Sequence, residues 1–166
     1  MMLHIQSDIT HSTLTNVQDI DVQPNAVDLR IDKVFGIHKQ AFLIDETKKV
    51  HRGTYEILPD KDGYWYLEPG TYEIVMENII HVGEGEAGWV ITRSTLNRNG
   101  VFITSGLYDS GYHGVMAGAM HINVGPMCIK KGTRVGQFLL FKAETLKLYD
   151  GDYGLNKSHD QKYNKG

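Results

Sequence analysis

The segment GLYDSGYHG, residues 106–114, holds a carboxylate and an aromatic ring three positions apart, at Asp109 and Tyr112. A carboxylate within hydrogen-bond reach of a water molecule can take its proton as a general base. The ring of Tyr112 could stack on a flat ligand or a sugar. Asp-Ser-Gly is equally ordinary turn chemistry, because Asp bonds its own backbone and Gly accepts a positive φ. The segment alone leaves both roles open for Asp109.

Two further segments carry polar groups suited to an anionic ligand. ITRSTLNRNG, residues 91–100, places Arg93 beside hydroxyl residues at a predicted helix start. Arginine and helix N-termini both bind phosphate well, although a surface arginine beside an N-cap fits the pattern equally well. In KKGTRVGQFLLF, residues 130–141, Gln137 lies among apolar residues. A buried amide there needs a partner, unless the side chain faces solvent.

Three other patterns are set aside. GEGEAG, residues 83–88, matches the dinucleotide-binding spacing, but a strand-like segment follows it and its two glutamates would repel phosphates. The eight histidines form no HExxH pattern, and the single cysteine, Cys128, excludes the zinc ligand set of the nucleobase deaminases. A lone cysteine forms no intrachain disulfide and fits a reducing compartment. We therefore expect no metal ion held by protein ligands.

The composition predicts one globular domain without a nucleic-acid or membrane surface. The 166 residues carry 17 basic and 20 acidic side chains, a formal charge of −3, with no long block of like charge. No cationic segment followed by a long apolar one opens the chain, and no apolar stretch approaches the ~20 residues of a membrane span. We expect a soluble cytoplasmic protein.

The elements that must position these residues are mostly strands. Short β-prone segments, separated by turn-forming residues, predict an all-β barrel or sandwich. Asp62-Gly63 and Pro69-Gly70 predict hairpin turns, the second of type II. The clearest β-prone segments are GWVIT (88–92), GVFIT (100–104), GVMAGAMHINV (114–124) and VGQFLLF (135–141).

Helical signals are few. SDITHSTLTNV, residues 7–17, predicts a short helix near the N-terminus with Ser7 as its cap. RSTLNRNG, residues 93–100, predicts one or two helical turns that end at Asn99-Gly100. Helices are therefore expected to play a minor part in the fold.

Five segments, in this order, resemble motifs of the dCTP deaminase/dUTPase superfamily. IDVQPNAVDLRI resembles the deaminase-branch signature QP-x-S/A-x-DLR, and LEPGTYEIVMENI resembles L-x-PG-x-x-x-L-x-x-T-x-E. TRSTLNRNG is similar to RSSLAR-x-G, ITSGLYDSGYHG to T-A-x-x-IDPG[WYF]-x-G, and KKGTRVGQFLLF to GxRIAQL. DQKY near the C-terminus resembles the D-x-KY that opens a mobile lid. The resemblance covers nearly the whole chain and implies a dUTPase-like distorted β-barrel or jelly roll with one or two short helices.

The resemblance implies roles for the residues of the central hairpin. Asp109 falls on the aspartate that orients and deprotonates the attacking water in dUTP hydrolysis. Tyr112 falls on the ring under the deoxyribose, which disfavours a 2′-hydroxyl by crowding. Thr104, Ser105 and Gly106 lie on the hairpin whose backbone reads the pyrimidine edge.

The resemblance also implies phosphate contacts, a metal ion and an assembly. Arg93, Ser94 and Gln137 fall on triphosphate contacts, with Thr95 beside them as a further substrate-binding position. The family is typically a homotrimer with sites between subunits, which suits a cyclic assembly. Its Mg²⁺ is carried by the triphosphate rather than by protein ligands. Two basic positions of the deaminase branch, one near the reacting centre and one in the lid, are matched by Arg98 and Lys162.

One position separates the two activities of the superfamily. Deamination at C4 of cytosine needs a group that moves protons onto N3 and the departing ammonia, and the deaminase branch has a glutamate ten residues after the hairpin aspartate. Counting from Asp109 reaches Ala119, whose methyl group carries no proton. No other carboxylate lies between Asp109 and Glu144, and His121 is displaced by about 7 Å along the strand. The leading prediction is a dUTP diphosphatase, with a dCTP deaminase or a bifunctional deaminase/dUTPase as the alternative.

The C-terminal segment departs from both branches of the family. The polar stretch from Leu148 is predicted to be mobile unless docked, so we divide the chain into a β domain, 1–147, and a tail or lid, 148–166. The glycine-rich RGxxGFGSTG is absent, and Asn164-Lys165-Gly166 stands where the family presents a further glutamine. A shortened lid should lower turnover, because a lid excludes water and completes the phosphate cage. A non-catalytic deoxynucleotide sensor is therefore a further hypothesis.

Overall fold

The computed structural model describes residues 1–164, and strands account for most of its regular structure. In this part of the chain the strands are β1 (Met2–Leu3), β2 (Thr13–Leu14), β3 (Val27–Ile37), β4 (Leu43–Ile44), β5 (Lys49–Val50), β6 (Thr54–Ile57), β7 (Tyr64–Leu67), β8 (Gly70–His81), β9 (Glu86–Thr92), β10 (Val101–Thr104), β11 (His113–Ile122), β12 (Met127–Lys130) and β13 (Arg134–Lys142). The helices are α1 (Ser94–Arg98) and two short 3-10 helices, Asp19–Asp21 and Ser158–Asn164. None of these helices is long and apolar enough to cross a membrane. The predicted mainly-β fold is confirmed.

Nine strands form one curled antiparallel sheet. Its path runs β1-β13-β3-β8-β11-β10, while β2 pairs with β8, β6 with β3 and β9 with β13. The register shifts within the β3/β8, β8/β11 and β3/β13 ladders. Such bulges bend a strand and increase its twist, which lets the long strands curl into a half-barrel. Two small ladders, β7/β12 and β4/β5, complete the strands described.

Alternating apolar side chains of the long strands form the core. Leu29 and Ile31 of β3 and Phe138 and Leu140 of β13 are fully buried, with two-residue spacing on each strand. Each buried side chain of this size stabilises the fold by about 1.5–3 kcal/mol. This core supports β9 and β10, the strands next to α1 and to the turn of Asp109.

The helix predicted over residues 7–17 is wrong. Ser7 closes only a turn, with the Thr10 amide bonded to the Ser7 carbonyl at 3.2 Å. The buried carboxylate of Glu86 accepts hydrogen bonds from the backbone amides of His11, at 2.9 Å, and Ser12, at 3.0 Å. These amides are held by a residue distant in sequence, so they are not available for helical hydrogen bonds.

The two predicted hairpins also differ from the observed turns. At Asp62-Gly63 the turn forms, with Gly63 at φ +85°, but β6 pairs with β3 and β7 pairs with β12. Pro69-Gly70 forms no type II hairpin turn, because Gly70 already begins β8 and that strand pairs with β11 and β3. Turn chemistry therefore located bends in the chain without identifying the strands that pair. The helix predicted at RSTLNRNG is confirmed as α1, which Gly100 ends at φ +73°.

The C-terminal segment, residues 148–164, packs against the sheet. Asp160 is buried and accepts a hydrogen bond from the Gly154 amide at 2.7 Å. Tyr163 is buried against Phe35 of β3, with ring centroids 5.8 Å apart, and its carbonyl accepts a bond from Lys33 Nζ at 2.7 Å. The division at residue 147 stays a prediction. Lys165 and Gly166 lie outside the described residues.

Candidate active site

Asp109 projects from a turn that several hydrogen bonds hold in place. Gly111 has φ +86°, a backbone region that favours glycine. The Ser110 hydroxyl donates to the Glu86 carbonyl at 2.6 Å, and the Tyr112 amide donates to the Asp109 carbonyl at 3.0 Å. The Asp109 side chain is exposed, and no residue among 1–164 hydrogen-bonds or ion-pairs with its carboxylate. The backbone of the turn is thus held in place, and its Asp109 carboxylate is available to a ligand or a water molecule.

Asp109 lines a cleft of about 560 Å³ between the turn and the start of the C-terminal segment. Lys147 lines the same cleft and is the one cation among its lining residues in the described chain. Glu144 and Asp150 line it as well. One lysine among three carboxylates leaves this cleft, within a single chain, poorly equipped to hold a triphosphate.

A second cavity, of about 580 Å³, adjoins the Asp109 cleft, because Leu107 and Tyr149 line both. Its size suits a small organic ligand. Tyr112 lines it with a buried ring, whose hydroxyl donates to the Val115 carbonyl at 2.7 Å. Ala119 lines it too. The ring of Tyr112 is therefore a fixed wall of a cavity next to Asp109.

The hairpin residues expected to read a base meet this cavity through one of the three. Gly106 lines the cavity, and a side chain at that position would have open space around it. The Thr104 hydroxyl lies 3.3 Å from His121 Nε2, and the Ser105 hydroxyl donates to the Gly106 carbonyl at 2.9 Å. Gly118 permits the close approach of β10, since a Cβ there would lie 2.4 Å from the Thr104 carbonyl oxygen.

Four side chains meet at the junction of β3, β9 and β13, and we call them the Asp28 cluster: Asp28, Arg93, Arg134 and Gln137. The Asp28 carboxylate is fully buried and lies 3.2 Å from both Arg93 Nε and Arg134 Nη1. Its other oxygen accepts a bond from Gln137 Nε2 at 3.1 Å. The arginine side chains keep 28% and 25% exposure. Asp28 thus orients two guanidinium groups whose outer edges remain available to an anion.

Helix α1 places the remaining predicted phosphate residues beside this cluster. Arg93 is the N-cap residue, and Ser94 and Thr95 follow with exposed side chains. Arg98 is exposed at the last helical position. Lys162 lies elsewhere, with Nζ 2.8 Å from Glu73 Oε1.

Asp109 and the Asp28 cluster belong to opposite ends of β9 in one chain. The turn of Asp109 joins β9 at Gly88, whose amide and carbonyl bond to Tyr108 at 3.0 and 2.8 Å. Arg93 directly follows the last residue of β9. Gly88 and Arg93 are five residue steps apart along the chain, or about 17 Å at 3.3–3.4 Å per residue. A single chain therefore places Gly106 and Tyr112, predicted to contact the base and the sugar, close to Asp109, while the residues predicted to contact the triphosphate lie at the other end of β9.

Sequence reasoning missed three residues of this site: Asp28, Arg134 and Glu73. Asp28 stands in the apolar segment AVDLRI, where a buried carboxylate needs cationic partners, so a signal was present. Arg134 lies three residues before Gln137 in the same motif. Glu73 gave no signal, because its place in the site depends on its pairing with Ala119 of β11.

The described residues form no cage for a metal ion. Within residues 1–164 no three side chains of His, Cys, Asp or Glu are grouped as metal ligands. Asp28 is buried, and its oxygens already face two arginines and a glutamine.

The chain resembles a family model named after dCTP deaminase and proteins named after dUTP hydrolysis. The family model described as dCTP deaminase-like matches residues 3–143. A probable deoxyuridine 5'-triphosphate nucleotidohydrolase of Methanopyrus kandleri is 31% identical over 134 residues, 80% of this chain and 86% of that protein. The corresponding protein of Methanothermobacter thermautotrophicus is 33% identical over 135 residues, 80% of this chain and 87% of its own.

Solved structures share the fold at low sequence identity. The 2'-deoxycytidine 5'-triphosphate deaminase of Agrobacterium tumefaciens superposes with a TM-score of 0.59 at 18% identity, over 78% of this chain and 41% of that longer one. A mutant dUTPase from phage phi11 of S. aureus superposes with a TM-score of 0.54 at 13% identity, over 86% and 97% of the two chains. That dUTPase is described with a structural Mg(II) ion. The predicted dUTPase-like fold is confirmed.

Proposed function

Because the chain belongs to the dCTP deaminase-like family, whose model matches residues 3–143, we propose that it hydrolyses dUTP to dUMP and pyrophosphate. Relatives about 30% identical over most of their length bear the name dUTP nucleotidohydrolase, which supports this substrate. The observation that carries the proposal is the exposed Asp109 carboxylate, which has no partner in the described chain and stands on a fixed turn beside a nucleoside-sized cavity.

In the proposed reaction Asp109 orients a water molecule and takes one of its protons. The water oxygen attacks the α-phosphorus and forms the new P–O bond. The bond between the α-phosphorus and the oxygen bridging to the β-phosphate breaks, and pyrophosphate leaves with that oxygen. Tyr112 forms the wall against which the deoxyribose packs, and Thr104, Ser105 and Gly106 lie along the base.

The triphosphate is assigned to the Asp28 cluster and the start of α1. Arg93, Arg134 and Gln137 bind the phosphate oxygens, with Ser94 and Thr95 beside them. Asp28 holds the arginines in place without contacting the nucleotide. When the nucleotide carries Mg²⁺, the ion adds further neutralisation of the phosphate charge.

A complete site in this proposal needs more than one copy of the chain. Arg93 lies about 17 Å along β9 from the turn of Asp109, counted at 3.3–3.4 Å per strand residue. A cyclic assembly brings one end of a strand on one subunit to the other end on its neighbour. We therefore propose a homotrimer in which Asp109 and the Asp28 cluster of each site come from different subunits.

Deamination of dCTP is a second candidate, which one observation favours. Ala119 removes the proton carrier that the deaminase branch has at this position, but the β8/β11 register pairs Glu73 with Ala119. A carboxylate therefore lines the same cavity from the neighbouring strand. Hydrolysis stays the leading function, because deamination needs a group that reaches both N3 and the departing ammonia.

The test is incubation of the protein with dUTP and with dCTP in the presence of Mg²⁺, followed by mass analysis of the products. We expect dUMP and pyrophosphate from dUTP, and we expect D109N to lose about 100- to 10,000-fold in turnover while it still binds the nucleotide. D150N, in the same cleft, is the matched control and should keep its activity. Full activity of D109N would refute the role of Asp109. Formation of dUTP from dCTP would support deamination, and tight binding without any product would support the sensor.

A further inference from the structure

Glu73 faces the base cavity from the strand next to Ala119. The β8/β11 register pairs Glu73 with Ala119, and the β10/β11 register pairs Ala119 with Thr104. Directly paired residues of antiparallel strands point to the same face, with Cβ atoms about 5 Å apart. Glu73 therefore brings a carboxylate into the space beside the Ala119 methyl group, and both residues line the cavity.

The C-terminal segment holds this carboxylate in place. Lys162 Nζ donates to Glu73 Oε2 at 3.0 Å and lies 2.8 Å from Oε1. Lys162 in turn lies over the ring of Tyr163, 5.0 Å from its centroid, and the Tyr163 carbonyl is bonded to Lys33 on β3. The Glu73 side chain is 20% exposed. A carboxylate fixed in this way can discriminate between ligands, because displacing it to fit a mismatched ligand group would break its contact with Lys162.

The Glu73 carboxylate also keeps unused acceptor capacity. An ionised carboxylate accepts about four hydrogen bonds, and Lys162 Nζ contacts both oxygens, Oε2 at 3.0 Å and Oε1 at 2.8 Å. Glu73 Oε1 is buried beside the Lys162 ammonium group, although that contact is not aligned as a hydrogen bond, and the Tyr163 hydroxyl also neighbours this carboxylate. Lys162 and Tyr163 occupy part of this acceptor capacity, and an N–H group of a ligand can use the part of the carboxylate that faces the cavity.

We propose that Glu73 is the residue that selects the base, by accepting a hydrogen bond from N3–H of uracil. The inference rests on the proposed function, since it places the pyrimidine of the nucleotide in the cavity lined by Tyr112 and Ala119. Lys162 is a positioning residue, which orients Glu73 and offsets its charge near the two uracil carbonyl oxygens.

The discrimination follows from the hydrogen at N3. Uracil carries a proton on N3, whereas neutral cytosine presents a bare lone pair there. An ionised carboxylate is an acceptor only, so it bonds uracil N3–H and repels cytosine N3. Uracil would hydrogen-bond the Glu73 carboxylate, whereas cytosine would leave it unpaired and desolvated. Such a difference gives strong selectivity for uracil.

The test compares E73A and E73Q with the wild type. We would measure kcat and KM for dUTP and dCTP, and the Kd of a non-hydrolysable α,β-imido analogue of dUTP. E73A should raise the Kd and KM for the uracil nucleotide about 10- to 100-fold, with kcat little changed, because the lost bond is made equally in the ground and transition states. E73Q should lose less for dUTP and gain affinity for dCTP, since its amide can donate to cytosine N3.

E56Q is the matched control, because Glu56 is exposed on β6 and shares the cross-strand partner Phe35 with Glu73. Circular dichroism should show that every variant is folded. An unchanged dUTP/dCTP ratio in E73A overturns the inference, and so does a wild-type deaminase activity that E73A abolishes. If the wild type binds the imido analogue without hydrolysing dUTP, the proposed hydrolysis fails, while the Kd comparison still decides the role of Glu73. If it binds no deoxypyrimidine nucleotide, both fail.

Discussion

Replacing Asp28 by asparagine removes the single negative charge at the centre of the Asp28 cluster. The carboxylate is fully buried, and its two oxygens serve Arg93, Arg134 and Gln137 at 3.1–3.2 Å. An asparagine offers one carbonyl oxygen and one amide group in the same space. Its amide would face either a guanidinium or the Gln137 amide, donor against donor, so at least one contact becomes repulsive.

The free energy of unfolding should fall by about 2–4 kcal/mol in D28N. A hydrogen bond to a charged group contributes about 1.5–3 kcal/mol, and removal of one partner from a buried ion pair costs about 3–5 kcal/mol. Both arginine side chains remain about a quarter exposed, at 28% and 25%, so water replaces part of what they lose. For a domain of this size each kcal/mol lowers Tm by about 2–4 °C, which predicts a fall of about 5–15 °C.

Thermal and urea unfolding, followed by circular dichroism, would measure this loss. D32N is the matched control, because Asp32 lies on the same strand and pairs with Lys131 at 2.8 Å on the surface. A surface pair of this kind contributes about 0–1 kcal/mol, so D32N should unfold close to the wild type. A D28N protein within about 1 kcal/mol of the wild type, or a D32N protein equally destabilised, would refute a central role for the buried carboxylate.

Two further predictions concern buried phenols and the shared site. Burial raises the pKa of Tyr112 and Tyr163 above the usual 10.0, with Tyr108 and Glu73 as the respective neighbours that add to it. The unfolded chain ionises these phenols first, so their contribution to stability is present below about pH 10 and is lost as the pH rises above it. Tm should fall more steeply above pH 10 in the wild type than in Y163F, and equal slopes would contradict this. Second, D109N and R93M should each be inactive, but refolded as an equal mixture they should recover about a quarter of the wild-type activity if sites lie between subunits of a cyclic trimer. No recovery would place both residues in one subunit's site.

Local sequence pattern predicted the elements whose start and stop signals lie within the segment or directly beside it. The segment RSTLNRNG has its helix stop within it, and GWVIT, GVFIT and VGQFLLF combine β-prone residues with flanking turn residues. The helix predicted at residues 7–17 failed because the buried Glu86 carboxylate takes two of its amides. A contact between residues so far apart in sequence overrides a weak local preference.

The site residues that could be predicted are likewise those related by local spacing, and those that could not depend on contacts between residues distant in sequence. Asp109 and Tyr112 lie on one short turn, and their relation follows from spacing alone. The relation between Asp28 and Arg93, or between Glu73 and Ala119, depends on which strands pair and in what register. A bulge lies between Val115 and Ala117 of β11, so even a correct strand pairing would not fix that register.

The separation of Asp109 from Arg93 along β9 argues against a complete triphosphate site within one chain. β9 is paired with β13 from Glu86 to Thr92, so it is a continuous strand that cannot fold back to bring Arg93 to Asp109. Among residues 1–164 the Asp109 cleft is lined by a single cation, Lys147, together with three carboxylates. This is too little positive charge for a triphosphate, whereas the Asp28 cluster offers two oriented arginines, and its own carboxylate is already paired with both of them. Each group lacks what the other has, and in the proposed trimer a second copy of the chain would supply it without any change in the fold.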